Sequence, residues 1–481
     1  MRGFRGGCGI VAFAGLLLLA GSAGGASSVG ARAEKASRSP RLNVVFIVSD
    51  DERVDGNAVM ADVQRLLARH GVTFENMRVT TSECGPSRAS ILTGEYSHHT
   101  GVLDNFGPHS YPAFDERSDL AVWLHRAGYR TALVGKYLND YTRDGHHAIP
   151  PGWDDWQVID SVPEERYYDY SLNENGRLVH YGSRPADYST TVLTSKALSF
   201  LRTVREPFFL YFAPVAPHLP AIPAPEDVGR FDKLAPFHSP SVNEANISDK
   251  PWRAWHKRAI SPAGLSYIND VRRRQLESLQ AVDRGVARIV ATLARRKLLE
   301  RTVIFYTSDN GFLWGEHRLG GKLWPYEEST RVPLIVRTPW ARHGTVNHDA
   351  VLNIDFASTI SELAGIVPGA PQDGDSLVPL LHGEQIPWRH DYLIEYLGEN
   401  KINDNGPPPF VAIHSPRYLY VEYHFHHWRE LYDLKHDPWE LNNVADNPAF
   451  TTIRLTLSRQ LRELYTAPPH PARVIEGQSS H

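Results

Sequence analysis

The amino-acid sequence predicts an α/β fold: a large, mainly parallel sheet flanked by helices. Three observations carry that reading. Short β-branched and aromatic runs occur without polar interruption, amphipathic segments of helical period lie between them, and polar residues follow the apolar runs directly. Residues 43–48 hold Val44, Val45, Phe46, Ile47 and Val48 without alternation, as a strand buried on both faces must. Val59, Val63, Leu66 and Leu67 then recur at helical spacing, with Gly71 placed to end that helix. Ser118 is placed to cap a helix carrying Leu120, Val122, Trp123 and Leu124 that stops at Gly128. Residues 131–134, 208–212 and 303–306 read as further buried strands. A long amphipathic helix with Ile268, Val271, Gln275, Leu279, Val282, Val286, Ile289 and Leu293 lies between the last two. Residues 332–336 read as one more strand. Alternating strands and helices imply a sheet covered on both faces.

The N-terminus has the pattern of a secretory signal over residues 1–33. Arg2 and Arg5 precede an apolar run at 10–20, and small residues follow with cleavage choices after Ala26 or Ala33. Residues 34–40 complete a Ser/Arg/Ala-rich leader. The apolar run is about a dozen residues, short of the roughly 20 that a spanning helix needs, so the chain is expected to be secreted or extracytoplasmic without integral membrane association. Loss of the signal would remove Cys8 and leave Cys84 as the sole cysteine, with no intramolecular disulfide. The remaining chain of roughly 440 residues is long enough for a large core. A formal charge of −4 gives no global attraction to nucleic acid or an anionic membrane, so an anionic substrate needs a local cluster of cations. Neither a Gly-x-Gly-x-x-Gly element nor a P-loop points to a nucleotide.

Four strand ends deliver chemistry. Asp50 and Asp51 follow the first strand, Lys136 follows Gly135, His218 lies just beyond the 208–212 strand, and Asp309 and Asn310 end another. Open α/β sheets bind ligands at the carboxyl ends of their strands. One such residue alone is a cap or turn residue, but four beside the Cys84 element read as one site. Asp50, Asp51, Asp309 and Asn310 offer only oxygen, which suits Ca²⁺ or Mg²⁺ better than Zn²⁺. Arg88, four residues after Cys84, falls on the same helical face, with Pro86 near the helix start.

Cys84-Gly85-Pro86-Ser87-Arg88, continued by Leu92-Thr93-Gly94, resembles the signature of type I (formylglycine-dependent) sulfatases of the alkaline phosphatase superfamily. The resemblance implies that a maturation enzyme oxidises Cys84 to Cα-formylglycine, whose hydrated aldehyde attacks sulfur. It implies Ca²⁺ (Mg²⁺ as the alternative) on Asp50, Asp51, the modified Cys84, Asp309 and Asn310. By the same match Arg88, Lys136 and Lys322 bind the sulfate group, and His218, in Ala216-Pro217-His218, protonates the leaving oxygen. Many relatives carry a second histidine after the Gly-Lys lysine; here Leu138 and Asn139 stand instead, and Asn139 can donate to sulfate but cannot shuttle a proton. Glu430-Leu431-Tyr432-Asp433 and Asp437-Pro438-Trp439-Glu440 resemble the family's C-terminal signature. That match implies a catalytic domain at 41–367 and a smaller antiparallel subdomain at 368–481, with strands at 392–396 and 417–423. Gly135-Lys136-Tyr137-Leu138-Asn139 and Pro150-Pro151-Gly152-Trp153 resemble the N-acetylglucosamine-6-sulfatases and related heparan endosulfatases, although the long basic insert of the latter is absent. The implied substrate is a sulfated carbohydrate such as N-acetylglucosamine 6-sulfate. The competing readings are a broad arylsulfatase, a phosphonate monoester or phosphodiester hydrolase, and a non-catalytic sulfoglycan-binding protein. Trp153, Trp156, Tyr167, Tyr168 and Trp314 are candidates for stacking on sugar rings.

Overall fold

Val44 to Val48 lie at the centre of the sheet because both of its faces are covered by apolar layers. In the computed structural model, which describes residues 41–160, 166–251, 254, 256–398, 406–424 and 427–469, the strand Asn43–Ser49 is buried throughout. The expected signal and leader, 1–40, lie outside the described residues. Asn43–Ser49 pairs in parallel with Thr302–Ser308 on one side and Phe208–Ala213 on the other. Arg130–Gly135 and then Asp155–Ile159 continue the parallel series. Antiparallel pairing closes both flanks. Leu334–Arg337 and Gly71–Phe74 lie on one side, followed by Thr345–Asn347 parallel to the latter; Tyr170–Glu174 and Arg177–Tyr181 lie on the other.

Side-chain alternation divides the core in two. Val44, Phe46 and Val48 pack with Trp123, Trp153, Trp156 and Phe356 on one face. Val45 and Ile47 pack with Leu193, Leu279, Val282 and Val286 on the other, where the helices Ser189–Thr203 and Pro262–Arg295 lie. Ser261 caps the long helix by accepting from the Gly264 amide at 3.1 Å.

Three local expectations shift. Gly71 stands at the C-cap of a short 3-10 turn, Ala68–His70, but in extended rather than left-handed backbone, and it begins the strand Gly71–Phe74; a Cβ there would sit 2.0 Å from the Val336 carbonyl oxygen, so glycine is required by close approach. Asp119, not Ser118, caps the helix Leu120–Arg126, accepting from the Val122 amide at 3.0 Å, while Ser118 accepts from the Trp123 indole. The strand expected at 332–336 starts at Leu334, after Pro333, which has no N–H for a ladder, and it runs antiparallel to Thr302–Ser308.

The C-terminal region holds a four-stranded antiparallel sheet of Tyr392–Tyr396, Phe410–His414, Tyr418–Tyr423 and Arg429–Asp433. The helix Thr451–Tyr465 covers one face through Leu457 and Leu461. Among the described residues no helix is long and apolar enough to cross a membrane.

Two stability measurements follow from this packing. Gly71→Ala drives a methyl group into backbone that cannot yield, and urea unfolding should show a loss of about 1–3 kcal/mol. Glu430, fully buried, accepts from the hydroxyls of Tyr326, Tyr423 and Tyr432 at 2.9, 2.8 and 3.0 Å. Burial nonetheless raises its pKa from 4.5 to about 7, against the opposing pull of Lys250 and the three phenols. Its contribution to stability is complete below pH 4.5, where folded and unfolded chains are both protonated, and is lost as pH rises from 4.5 to about 7. Glu430→Gln should therefore flatten that part of the stability–pH curve relative to the parent chain.

Candidate active site

Cys84 is the first residue of the helix Cys84–Thr93, all of it buried, entered through extended Glu83 and closed by Gly94 at φ 78°. Pro86 falls in the first turn, where its missing N–H has no helical partner to lose. The Cys84 Sγ lies 3.4 Å from Asp50 Oδ1 and 3.9 Å from Asp51 Oδ1, and Lys322 Nζ donates to it at 2.6 Å. Lys322 also pairs with Asp51. Lys136 Nζ donates to Asp50 Oδ2 at 2.9 Å. Arg88 donates from Nε to Asp309 Oδ2 at 2.8 Å and from Nη1 to the Lys136 carbonyl at 3.0 Å, with Nη2 3.9 Å from Asp50. The Asp51 amide donates to Asp309 Oδ1 at 3.2 Å, and Asn310 Nδ2 donates to Asp51 Oδ1 at 2.7 Å. Asp51 itself sits at φ 69°, a left-handed conformation that a non-glycine residue holds only under constraint from its surroundings. His218 Nε2 lies 3.5 Å from Asp51 Oδ2, and Nδ1 is 2.7 Å from the Leu219 carbonyl. A carbonyl only accepts, so Nδ1 carries a proton. His218 is also the most open member of the group, with a side chain 21% exposed.

The charges are mutually dependent. Burial would raise the Asp50 carboxyl, but Lys136, His218, Arg88 and Lys322 hold it far below the usual range. Burial and the Asp50 charge raise Asp309 despite Arg88. Burial would lower Lys322, yet Asp51, Cys84, Asp50 and Asp309 raise it well above its ordinary value. Burial, Asp50 and Asp309 push the Cys84 thiol up, against Lys136 and Lys322, so the unmodified sulfur is held as a thiol.

The donor set fits a hard cation. Ligand atoms of Asp50, Asp51, Cys84 and His218 lie within 4.8 Å of one another. Asn310 Oδ1 is buried without a hydrogen-bond partner, and its orientation is settled because Nδ2 donates to Asp51 and to the Gly311 carbonyl. An orphaned amide oxygen beside two carboxylates is what an oxygen-coordinated Ca²⁺ would satisfy. Both Asp309 oxygens are already engaged, by the Asp51 amide and by Arg88, although each retains a free lone pair. Arg88 Nη2 is likewise buried with no hydrogen-bond partner, a donor left for an acceptor.

Asn139 is buried with Oδ1 unpaired and makes no hydrogen bond to the cluster among the described residues. Four of the five candidate sugar-stacking aromatics are buried and are corrected. Trp153 and Trp156 pack into the core against Phe209 and Tyr137, Trp314 lies against Arg53 and Phe237, and Tyr167 is buried with its hydroxyl on the His218 carbonyl at 2.7 Å. Tyr168, tilted against Tyr188 at 5.5 Å, stays partly exposed. Sequence reasoning missed the residues that hold the ligands. Ser87 donates to the Asp309 carbonyl at 2.5 Å and accepts from Asn353 at 3.0 Å, and Gln275 bridges the Trp314 indole at 2.6 Å to the Pro217 carbonyl at 3.3 Å. Ser87 lay inside the Cys84–Arg88 motif, Gln275 stood out as the one polar member of the long helix's apolar series, and Asn353 carries no local signal.

A profile of the family described as Sulfatase matches residues 42–366. The chain belongs to the sulfatase family. A second profile, described as N-sulphoglucosamine sulphohydrolase, C-terminal, matches residues 315–467 of this sulfatase. It is 32% identical over 458 residues to the N-acetylglucosamine-6-sulfatase of Capra hircus, covering 86% of this chain and 81% of that one. It is 35% identical to a putative extracellular sulfatase Sulf-1 homolog of Caenorhabditis elegans over 73% of this chain, but spans only 52% of that relative's length, and 34% of the Drosophila melanogaster homolog. A solved structure described as in complex with its substrate D-glucosamine-2-N,6-O-disulfate superposes with a TM-score of 0.77 at 25% identity, covering 88% of this chain and 97% of that one. A phosphonate monoester hydrolase from Silicibacter pomeroyi shares the fold at TM-score 0.72 and 24% identity, over 90% and 96% of the two chains.

Removing one side of a buried pair leaves an uncompensated charge. Arg88→Ala should destabilise this sulfatase by about 3–5 kcal/mol in chemical denaturation, with Arg88→Lys recovering part of the loss.

Proposed function

We propose that this sulfatase is secreted and hydrolyses the sulfate ester of a sugar, with N-acetylglucosamine 6-sulfate as the first choice. The observation that carries the proposal is the convergence of Lys322, Asp50 and Asp51 on the sulfur of one buried cysteine at a helix N-terminus. Sγ marks the position that the hydroxyls of a hydrated formylglycine aldehyde would take, after oxidation by a maturation enzyme. That aldehyde hydrate would supply an oxygen nucleophile where the thiol is poor, and Asp50, Asp51, residue 84, Asp309 and Asn310 would hold a Ca²⁺ that would supply Lewis-acid polarisation of the ester oxygens.

The chain's own side chains do the rest. Lys322, Lys136 and Arg88 present fixed positive charge to an anion, already oriented by their carboxylates, so little reorganisation is needed as charge develops. The helix N-terminus at Cys84 adds its dipole in the same sense. His218, with Nδ1–H tied to Leu219, would enter the step protonated on both nitrogens, hand the Nε2 proton to the leaving oxygen on the solvent side and be left as the neutral Nδ1–H imidazole. The sugar assignment is supported by the relatives named N-acetylglucosamine-6-sulfatase and by the neighbour solved with a disulfated glucosamine. Export is supported by the N-terminal pattern and by relatives named as extracellular sulfatases.

The test is kcat/KM on N-acetylglucosamine 6-sulfate, a chromogenic aryl sulfate and an aryl phosphonate monoester, using protein made with its maturation enzyme. The sugar sulfate should be turned over and the phosphonate disfavoured. A phosphonate preference would move the chain to the hydrolases that share its fold. Peptide mass spectrometry should find an aldehyde at residue 84, Cys84→Ala should abolish turnover, and chelation should inactivate until Ca²⁺ is restored. Full activity from protein carrying only unmodified Cys84 would sink the mechanism.

A further inference from the structure

We propose a second cation site, separate from the Cys84 cluster, in which His317, Glu328 and Glu440 bind a divalent first-row transition metal such as Zn²⁺ or Mn²⁺. His317 and Glu328 come from one stretch of chain, the turn between the short strands Leu313–Trp314 and Gly320–Gly321 and the helix Glu327–Thr330, and Glu440 comes from the remote loop beyond Arg429–Asp433. Their ligand atoms nevertheless all lie within 4.8 Å of one another.

Each of the three has an atom in want of a partner. His317 Nε2, Glu328 Oε2 and Glu440 Oε1 are buried and make no hydrogen bond among the described residues; His317 is 0% and Glu440 1% exposed. The imidazole is oriented for ligation. His317 Nδ1 lies 2.6 Å from Glu244 Oε2, so Nδ1 donates and the Nε2 lone pair is left for a ligand. A carboxylate on the far nitrogen is the usual support of a metal-binding histidine, fixing its tautomer and raising its basicity.

The neighbouring charges are already assigned. Arg53 pairs with Glu316 at 2.6 Å, Arg78 with Glu327 at 2.7 Å, and Lys250 lies 3.6 Å from Glu244. The three tyrosine hydroxyls satisfy Glu430. Glu328 and Glu440 make no ion pair among the described residues, although Arg331 lines the same cavity as Glu328 and the charge of Arg53 acts on Glu328 from its pair with Glu316. Atoms sharing a metal at bond lengths of about 2.0–2.2 Å stand about 3–4 Å apart; these three lie within 4.8 Å of one another with no hydrogen bond between them among the described residues, so a small inward shift of the side chains would close the shell. One imidazole with two carboxylates suits a borderline transition ion better than Ca²⁺, which prefers an all-oxygen shell. Of the three, Glu328 also lines a cavity of about 560 Å³, with Arg53, Arg78, His414 and Trp439.

Such an ion would be a staple. It would tie the turn that leads into Lys322, five residues after His317, to the C-terminal region through Glu440. The experiment equilibrates the purified full chain with excess Ca²⁺, to occupy the Cys84 cluster, and with Zn²⁺ or Mn²⁺ alone, then measures bound metal by mass spectrometry after dialysis. The expected result is a single retained equivalent of transition metal and a raised Tm. His317→Gln and Glu440→Gln should each lose that equivalent. Should either variant fail to fold, Glu328→Gln at the cavity rim and X-ray absorption of the metal in the parent chain, with one nitrogen and carboxylate oxygens as nearest ligands, provide the same decision. A parent chain that retains neither metal, or variants that retain as much as the parent, would overturn the proposal. The measurement does not depend on turnover, so its failure leaves the sulfatase reading untouched.

Discussion

Three carboxylates and three cations share one buried space, and none of them is affordable there alone. Asp50, Asp51 and Asp309 face Arg88, Lys136 and Lys322, and any one left unpaired would carry a large desolvation cost. The whole centre of the fold serves this balance. Asp50 and Asp51 leave Asn43–Ser49, Lys136 leaves Arg130–Gly135 and Asp309 leaves Thr302–Ser308, so parallel pairing brings their ends together at one edge. The Cys84–Thr93 helix then adds Arg88 from above the sheet, close enough for its guanidinium to reach both Asp309 and the Lys136 backbone.

Rigidity around the cluster comes from hydrogen bonds to backbone more than from further charge. Ser87 holds the Asp309 carbonyl, Asn353 holds Ser87, and Ser308 accepts from the Glu52 amide at 2.9 Å while donating to the Ser49 carbonyl at 3.2 Å. These contacts keep Asp51 in its left-handed conformation. His218 differs in kind: it is partly exposed, its backbone carbonyl is held by Tyr167, and its ring is steered by the following carbonyl. The groups proposed to bind the anion are therefore locked, and the group proposed to transfer the proton is partly open to solvent.

The same chain segment serves two buried clusters. Between Asp309 and Glu328 the chain supplies Asn310 and Lys322 to the first, and His317 and Glu328 to the second. Arg53 lies between them, bonded to Glu316 and to the Phe312 carbonyl and stacked on Trp314 at 4.2 Å. The C-terminal sheet is thus more than an appendage, since Glu440 and Glu430 complete a polar interior whose other half belongs to the catalytic layer.

The sequence alone determined the elements whose signals are local. Unbroken apolar runs marked the central strands because only burial on both faces permits them, and polar residues directly after those runs marked the site because strand ends are where such a sheet exposes its groups. The helical spacing of Cys84 and Arg88 was legible for the same reason. What lay beyond reach depends on partners far along the chain. Gly71 read as a helix cap, but the reason only glycine fits is the Val336 carbonyl against it, and Trp153 and Trp156 read as candidates for sugar stacking, whereas Phe209 and Tyr137 pack against them in the core. Lys322 could be named from its motif, but its contact with a sulfur 238 positions earlier is set by the tertiary structure. The meeting of His317, Glu328 and Glu440 had no sequence signal at all. Their approach is decided by how the C-terminal loop packs on the catalytic layer, and no local period encodes that packing.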